Sequence, residues 1–295
     1  MNPLVSIALC TYNGERFLAE QLDSIINQTY KNIEIIVVDD CSSDGTLNIL
    51  QSYSERYPNF KIHQNDMNLG YIKNFEKAIN LCSGDFIALS DQDDIWLPHK
   101  IALQIKEIGN HILIYHDSVF IDSTGNFIGK RISDVRRLYK GEDSRHFLFE
   151  NCVSGHSIFF NRELISYLDQ FPNKVFHDWW LTYCATNLGS ITFIEECLVK
   201  YRQHSNTSTD ILRSKVTKKE KREVKSENFL MRVKIFTDYK FNTHQHFKSH
   251  LLFLLEHKKQ MNFKLVIFIL MHQKILLYMN KKSFFSKLNY IRKFF

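Results

Sequence analysis

The sequence predicts an α/β fold: a mostly parallel, Rossmann-like sheet flanked by helices, with a C-terminal helical extension. Three observations carry that prediction. Apolar runs of strand length alternate with helical patterns over residues 4–90, joined by short connections. Three of those runs end in polar or acidic clusters: Thr11-Tyr12-Asn13, Asp39-Asp40 and Asp91-Gln92-Asp93. From residue 212 onward the chain turns basic, with 20 Lys/Arg against 5 Asp/Glu for a net +15, while the body before it has 18 against 27 for a net −9.

Residues 4–10 read as a first buried strand, and Thr11-Tyr12-Asn13-Gly14 as a polar turn. Leu18, Leu22, Ile25 and Ile26 recur at i, i+4, i+7 and i+8, the buried face of a helix. Residues 33–38 form a second strand, and Ser42 or Ser43 is expected to cap the helix that runs through residues 51–56. A weaker strand at 60–63 precedes Asn68-Leu69-Gly70 and a helix over 71–81. Phe86-Ile87-Ala88-Leu89 is the fourth strand, stopped by Asp91-Gln92-Asp93-Asp94 and closed by Ile95-Trp96. A helix over 100–107 and a strand over 112–115 follow. Thr124-Gly125-Asn126 should turn a hairpin between 119–121 and 127–128. Residues 151–161 mix a polar loop with a short strand, 175–188 begin and carry an amphipathic helix, and 197–201 form a last strand.

With 295 residues, 44% of them hydrophobic and 24% charged, the chain suits a soluble globular protein of one large or two small domains. The expected division is a body over 1–211, in two halves (1–105 and 106–211), and a basic amphipathic helical region over 212–295. Six cysteines with no C-x-x-C spacing point to reduced thiols in the cytoplasm rather than to disulfides or zinc. The N-terminus lacks the basic segment of a signal peptide. The longest uninterrupted apolar run of the tail, 265–271, falls well short of the roughly 20 residues that span a bilayer. An acidic body with a basic tail implies an anionic partner for the tail, membrane or nucleic acid.

In an open parallel sheet, ligands collect beyond the carboxyl ends of the strands. A lone D-x-D there reads as a solvated turn, but three polar clusters on one sheet edge make a crevice. Neither G-x-G-x-x-G nor G-x-x-x-x-G-K-[ST] occurs, so a bound nucleotide would have its phosphates neutralised by a cation held on carboxylate oxygens. Asp178, followed by Trp179 and Trp180, reads either as a helix cap or as a carboxylate set against aromatic walls. His204 alone would be a surface histidine.

Together, over about residues 3–206, these residues resemble the family 2 glycosyltransferases, inverting enzymes with the nucleotide-binding GT-A fold. The residues that carry the likeness are Val5-Ser6-Ile7 with Thr11-Tyr12-Asn13, and Val37-Val38-Asp39-Asp40 with Ser42, Asp44 and Thr46. Asn68-Leu69-Gly70 with Asn74, Asp91-Gln92-Asp93-Asp94, His177-Asp178-Trp179-Trp180 and Tyr201-Arg202-Gln203-His204 complete it. D-Q-D-D-x-W with H-D-W-W is most similar to the bacterial rhamnosyltransferase-type branch.

The resemblance implies a role for each matching position. Asp40 would accept the imide N–H of uracil or thymine, which cytosine lacks. Thr11, Tyr12 and Asn13 would line the base pocket, Asp39 would support it, and Lys73 and Asn74 would reach the base or phosphates. Asp91 would hold the ribose. Asp93 would ligate Mg²⁺ or Mn²⁺, with His204 as a second contact, and Asp178 would be the general base. The implied donor is a UDP- or dTDP-sugar, dTDP-L-rhamnose among the candidates, and the acceptor a glycan on a lipid carrier at the inner face of the plasma membrane. Two other enzyme classes fit less well. A sugar-nucleotide pyrophosphorylase would want a glycine-rich basic loop at 10–14. A nuclease would want positive charge around its carboxylates, not an acidic body. No nucleic acid is therefore expected as a partner. A non-catalytic scaffold would leave the acidic positions unexplained.

Overall fold

β1 (Val5–Thr11) and β2 (Ile33–Asp39) are buried at all seven positions, and β4 (Phe86–Ser90) at four of five. A strand covered on both faces has no polar side to alternate with, so each reads as an unbroken apolar run. With β3 (Phe60–Gln64) outside β2, these four strands are parallel in the order β3-β2-β1-β4. The computed structural model describes residues 2–204, 221–257, 263–281 and 286–287.

The crossovers are α1 (Leu18–Ile26), α2 (Thr46–Ser54) and α3 (Tyr71–Leu81). α1 buries Leu18, Leu22 and Ile25 as their spacing requires. The start of α2 differs from expectation: neither Ser42 nor Ser43 caps it. The Asp44 carboxylate takes that part, accepting from the Thr46 N–H at 3.0 Å, while Ser42 is drawn to Asp39 and Ser43 to Asn13.

The sheet continues through β5 (Ile95–Trp96), β6 (Leu113–Ile121), β7 (Phe127–Arg131), β8 (Phe159–Asn161) and β9 (Ile191–Arg202). Its full order is β3-β2-β1-β4-β8-β6-β9-β5, with β7 hairpinned onto β6. β8 lies antiparallel to both β4 and β6, whereas β9 runs parallel to β6. β6 is one long strand where the sequence suggests two. His116-Asp117-Ser118 breaks the apolar pattern, yet all three are buried, and the register to β9 shifts at Asp117. Packed around this half are α4 (Lys100–Ile108), the single turn α5 (Ile132–Val135) and α6 (His177–Leu188).

α6 is not amphipathic: nine of its twelve residues are buried. On its outer side lie α7 (Lys221–Asp238) and α8 (Gln245–Glu256), with α9 (Phe263–Met271) packed on α8 and α10 (Gln273–Leu276) next to α9. Phe236 of α7 stacks on Tyr183 of α6 at 4.0 Å, and the Tyr183 hydroxyl donates to the Phe236 carbonyl. Leu251, Leu265, Ile269 and Leu277 join the same hydrophobic cluster as Ile87, Tyr115 and Trp180. The opposite face of the sheet has its own cluster, built from α1, α2 and α4 through Leu22, Leu50 and Ile101. The expected boundary at 211/212 and residues 205–220, including most of the basic stretch 213–225, lie outside the described residues. Among the described residues no helix is long and apolar enough to cross a membrane.

Candidate active site

The parallel register sets Thr11 opposite Asp39 and Leu9 opposite Ser90, so the strand ends fall in one row. A cleft of about 950 Å³ opens there. Thr11, Tyr12, Asn13, Asp40, Asn74, Asp91 and Asp93 line one part of its wall, with Asp178, Tyr201 and His204 brought in from the second half.

The strand-end loops are tied to one another by side chains. The Gln92 amide accepts from the Tyr12 N–H at 2.8 Å and donates to the Tyr12 carbonyl at 3.0 Å, joining the first and fourth loops as a ladder rung would. Asn13, at φ 47°, accepts from the Ser43 N–H and donates its own N–H to Ser42 Oγ, joining the first and second. The Asp40 carboxylate accepts from Asn65 Nδ2 and from the Leu69 and Gly70 N–H groups at 2.8–2.9 Å. That holds the loop before α3 against β2. Asn74 donates to the Val38 carbonyl and accepts from Asn65, both at 2.8 Å.

Of the expected nucleotide-site residues, Asp39 and Lys73 stand back from the cleft wall. Asp39 is fully buried, its oxygens taken up by Thr11 Oγ1, Ser42 Oγ and the Ser42 N–H. It braces the base pocket from behind, the supporting place expected of it. Lys73 is absent from the cleft wall because its ammonium pairs with Glu76 one turn along the helix at 2.7 Å.

The acidic loop is held from the last strand. Arg202, 2% exposed, donates its N–H to Asp94 Oδ1 at 3.0 Å, its Nε to the Asp93 carbonyl at 2.8 Å and an Nη to Glu20. Next to it His204 Nε2 sits 2.8 Å from Asp93 Oδ2. Burial, then Asp93 and Asp178, push the Asp91 carboxyl up to about 8. Asp94 is raised well above the usual carboxylate range by burial and by Asp93 and Asp91, with Arg202 opposing. Crowded carboxylate oxygens raise one another's charging cost, which a hard divalent cation relieves. Asp91, Asp94 and His156 offer ligand atoms within 4.8 Å of one another, a donor set that fits such an ion.

His156 is the residue that sequence reasoning missed. It lines the cleft with its Nδ1 3.5 Å from Asp94 Oδ2 and 4.0 Å from Asp91 Oδ2, and its Nε2 2.9 Å from Ser118 Oγ. Burial, then Lys100, hold it down at about 3, so the ring is neutral. The only signal in the sequence is a Gly155-His156-Ser157 interruption between two apolar stretches.

Asp178 stands in the first turn of α6 rather than at its cap, which is Phe176. Burial pushes its carboxyl up to about 7, against hydrogen bonds from the Trp179 and Gly155 backbone and the Asn151 side chain. The preceding His177 ring stacks on Phe75 at 3.9 Å and is held down at about 3 by burial. Trp179 donates its Nε1–H to the Phe147 carbonyl, and the Arg232 guanidinium of α7 lies 4.0 Å over its ring. The arrangement can bind a nucleotide diphosphate at the strand ends and take a proton at Asp178.

The pattern of glycosyl transferase family 2 matches residues 6–168. An uncharacterized glycosyltransferase of Haemophilus influenzae is 30% identical over 238 residues, covering 75% of this chain and 73% of that protein. One from Methanocaldococcus jannaschii is 28% identical over 260 residues, covering 84% and 81%. Among solved structures, S. aureus TarS 1–349 in complex with UDP-GlcNAc superposes with a TM-score of 0.62 at 18% identity, over 90% of this chain and 79% of that one. The mannosyltransferase PcManGT from Pyrobaculum calidifontis, in complex with GDP-Man and Mn²⁺, gives 0.58 at 19% identity, over 85% and 70%. These two establish the GT-A-like fold, and the sequence matches establish the lineage: the chain belongs to glycosyl transferase family 2 and is a glycosyltransferase.

Proposed function

We propose that this transferase is inverting and metal-dependent, and that it moves a sugar from a UDP- or dTDP-sugar to a hydroxyl of a lipid-linked glycan in bacterial surface polysaccharide synthesis. dTDP-L-rhamnose is one such donor. The observation that carries the reading is the Asp178 carboxyl, raised to about 7, in the same cleft as Asp40 and the Asp91–Asp93 loop.

Asp40, Thr11 and Tyr12 would take the pyrimidine, and Asp91 the ribose, with Asn13 and Asn74 fixing the loops around them. Asp93 and His204 would hold Mg²⁺ or Mn²⁺. When bound, the ion supplies electrostatic stabilisation of the charge that develops on the leaving diphosphate. Asp178 accepts the proton of the acceptor hydroxyl while its oxygen bonds to the anomeric carbon from the face opposite the nucleotide. The bond from that carbon to the diphosphate oxygen breaks as the new one forms. A base whose pKa lies near ambient pH combines availability with driving force, a contribution of typically ~10²–10⁴-fold. The basic C-terminal region would place the enzyme on the inner face of the plasma membrane, where a lipid-linked acceptor is found.

A thermal-shift panel of UDP- and dTDP-sugars with Mn²⁺ or Mg²⁺ tests the donor class. A ligand at 100 times its dissociation constant stabilises by about 2.7 kcal/mol, a readily visible shift. A folded protein that responds to none of them would remove the donor assignment. A product with the same anomeric configuration as its donor would remove inversion, and with it the role of Asp178.

A further inference from the structure

We propose that α9 is an interfacial membrane helix, whose outer face enters the headgroup–acyl boundary of an anionic bilayer. The inference rests on the reading of a lipid-linked acceptor and names the surface by which the enzyme would reach it. In a soluble protein the outward face of a surface helix is polar. α9, FKLVIFILM, breaks that rule: Leu265 and Ile269 are buried in the core, yet the opposite side is apolar too. Phe263, Ile267 and Met271, at i, i+4 and i+8, share one face and are 67%, 55% and 74% exposed. Scattered exposed apolar residues are ordinary, but three in register along one short helix form a contact surface. Phe253 of the neighbouring α8 is 53% exposed as well.

Length and charge decide what covers this face. Nine residues of helix extend about 14 Å, against a hydrocarbon core of about 30 Å, so α9 lies along a membrane and does not span it. Lys264 and Lys274 are exposed at either end of the stripe. In sequence, Lys258 and Lys259 precede it and Lys281 and Lys282 follow. An apolar face bordered by cations suits lipid with anionic headgroups, to which each Lys adds attraction. A second copy of this chain would instead bring one strongly cationic region against another. The shared C-terminal core carries α9 on the same body as α7, whose Arg232 lines the cleft, so a bound surface would stand in fixed relation to the acceptor side.

The test is sedimentation of the purified full-length protein with vesicles of phosphatidylcholine alone and of phosphatidylcholine with phosphatidylglycerol. The wild type should pellet with the phosphatidylglycerol vesicles. Ile267→Glu with Met271→Glu should weaken that binding by about tenfold or more while leaving the melting temperature unchanged, since both side chains are exposed. Lys264→Glu with Lys274→Glu should remove the preference for anionic lipid. Phe263→Trp should show a blue-shifted emission on phosphatidylglycerol vesicles. Failure of the wild type to pellet, binding unaffected by Ile267→Glu/Met271→Glu, or a wild-type dimer made monomeric by that pair would each overturn the proposal. Nucleotide-sugar thermal shifts on the same preparations separate the two readings: a protein that binds donor but no vesicle loses only the membrane face.

Discussion

Asp178 is where pH should control both rate and stability. Burial raises its carboxyl to about 7, so as a base it is mostly protonated below that pH. kcat/KM should therefore climb as pH rises through about 7 and level off above it, and Asp178→Asn should abolish that limb together with ~10²–10⁴-fold of the rate while keeping donor-induced stabilisation. Stability moves the other way. The folded-state value lies above the ordinary 3.8, so the folded protein holds the proton more tightly and wild-type stability falls between 3.8 and about 7. Asp178→Asn should accordingly match the wild type in thermal melts below that window and exceed it above. A wild type equal to the variant at both ends would mean that the carboxyl is not desolvated. Gly155 acts on the same group at one remove. A Cβ there would lie 2.7 Å from His177 Nε2, and that ring is pinned on Phe75. Gly155→Ala must shift the first turn of α6, so transfer should drop with donor binding intact; an unchanged kcat would show that the turn has slack.

At the level of elements, the acidic loop between β4 and β5 is positioned by the end of β9. Arg202 reaches Asp94, Asp93, Asp122 and Glu20 at once, and its guanidinium lies over the Phe17 ring at 4.6 Å. Lysine keeps the charge but lacks the planar fork. Arg202→Lys should loosen the loop and weaken nucleotide-diphosphate binding by calorimetry by about tenfold, and binding as tight as wild type would show that the loop holds itself. The loops' convergence was legible because parallel strands put their carboxyl ends on one edge, and α3 spans 71–81 as expected. What was not legible depends on distant partners. Gln92 finds Tyr12 eighty residues earlier, and Arg202 reaches Asp94 across 108. β6 looked broken because His116-Asp117-Ser118 is polar, but tertiary contacts take up part of that polarity, Ser118 Oγ with His156 and Asp117 Oδ1 with the Ser133 N–H. Lys73 is drawn from the cleft in the same way, its ammonium taken by Glu76.

Across the whole molecule, the C-terminal helices behave as part of the body because α6 has no solvent side without them. Lys248 of α8 makes the same point in polar terms: it is fully buried, bonds Ser144, Tyr183, Asn187 and Asn242, and is held down at about 7 by burial. Removing everything from α7 onward would bare Trp180 and Tyr183, so such a truncation would report lost packing rather than lost anchoring. Point substitutions are the sharper instrument. Phe236 is fully buried, stacked on Tyr183 at 4.0 Å and 6.2–6.3 Å from the two tryptophans that follow Asp178. Phe236→Ala should cost about 3–5 kcal/mol, the usual range for a buried aromatic. Because one cluster joins α7 to β4 and β6, the loss should fall on the whole transition. Tryptophan emission reports both sides of the sheet, from Trp179 and Trp180 on one and Trp96 on the other, and far-UV circular dichroism reports every helix. In denaturant the two probes should unfold together in wild type and shift together in the variant. An early, partial loss of helical dichroism with a red shift of the Trp179–Trp180 emission, moved alone by Phe236→Ala ahead of the main transition, would show that the C-terminal helices unfold on their own and that the sheet does not need them.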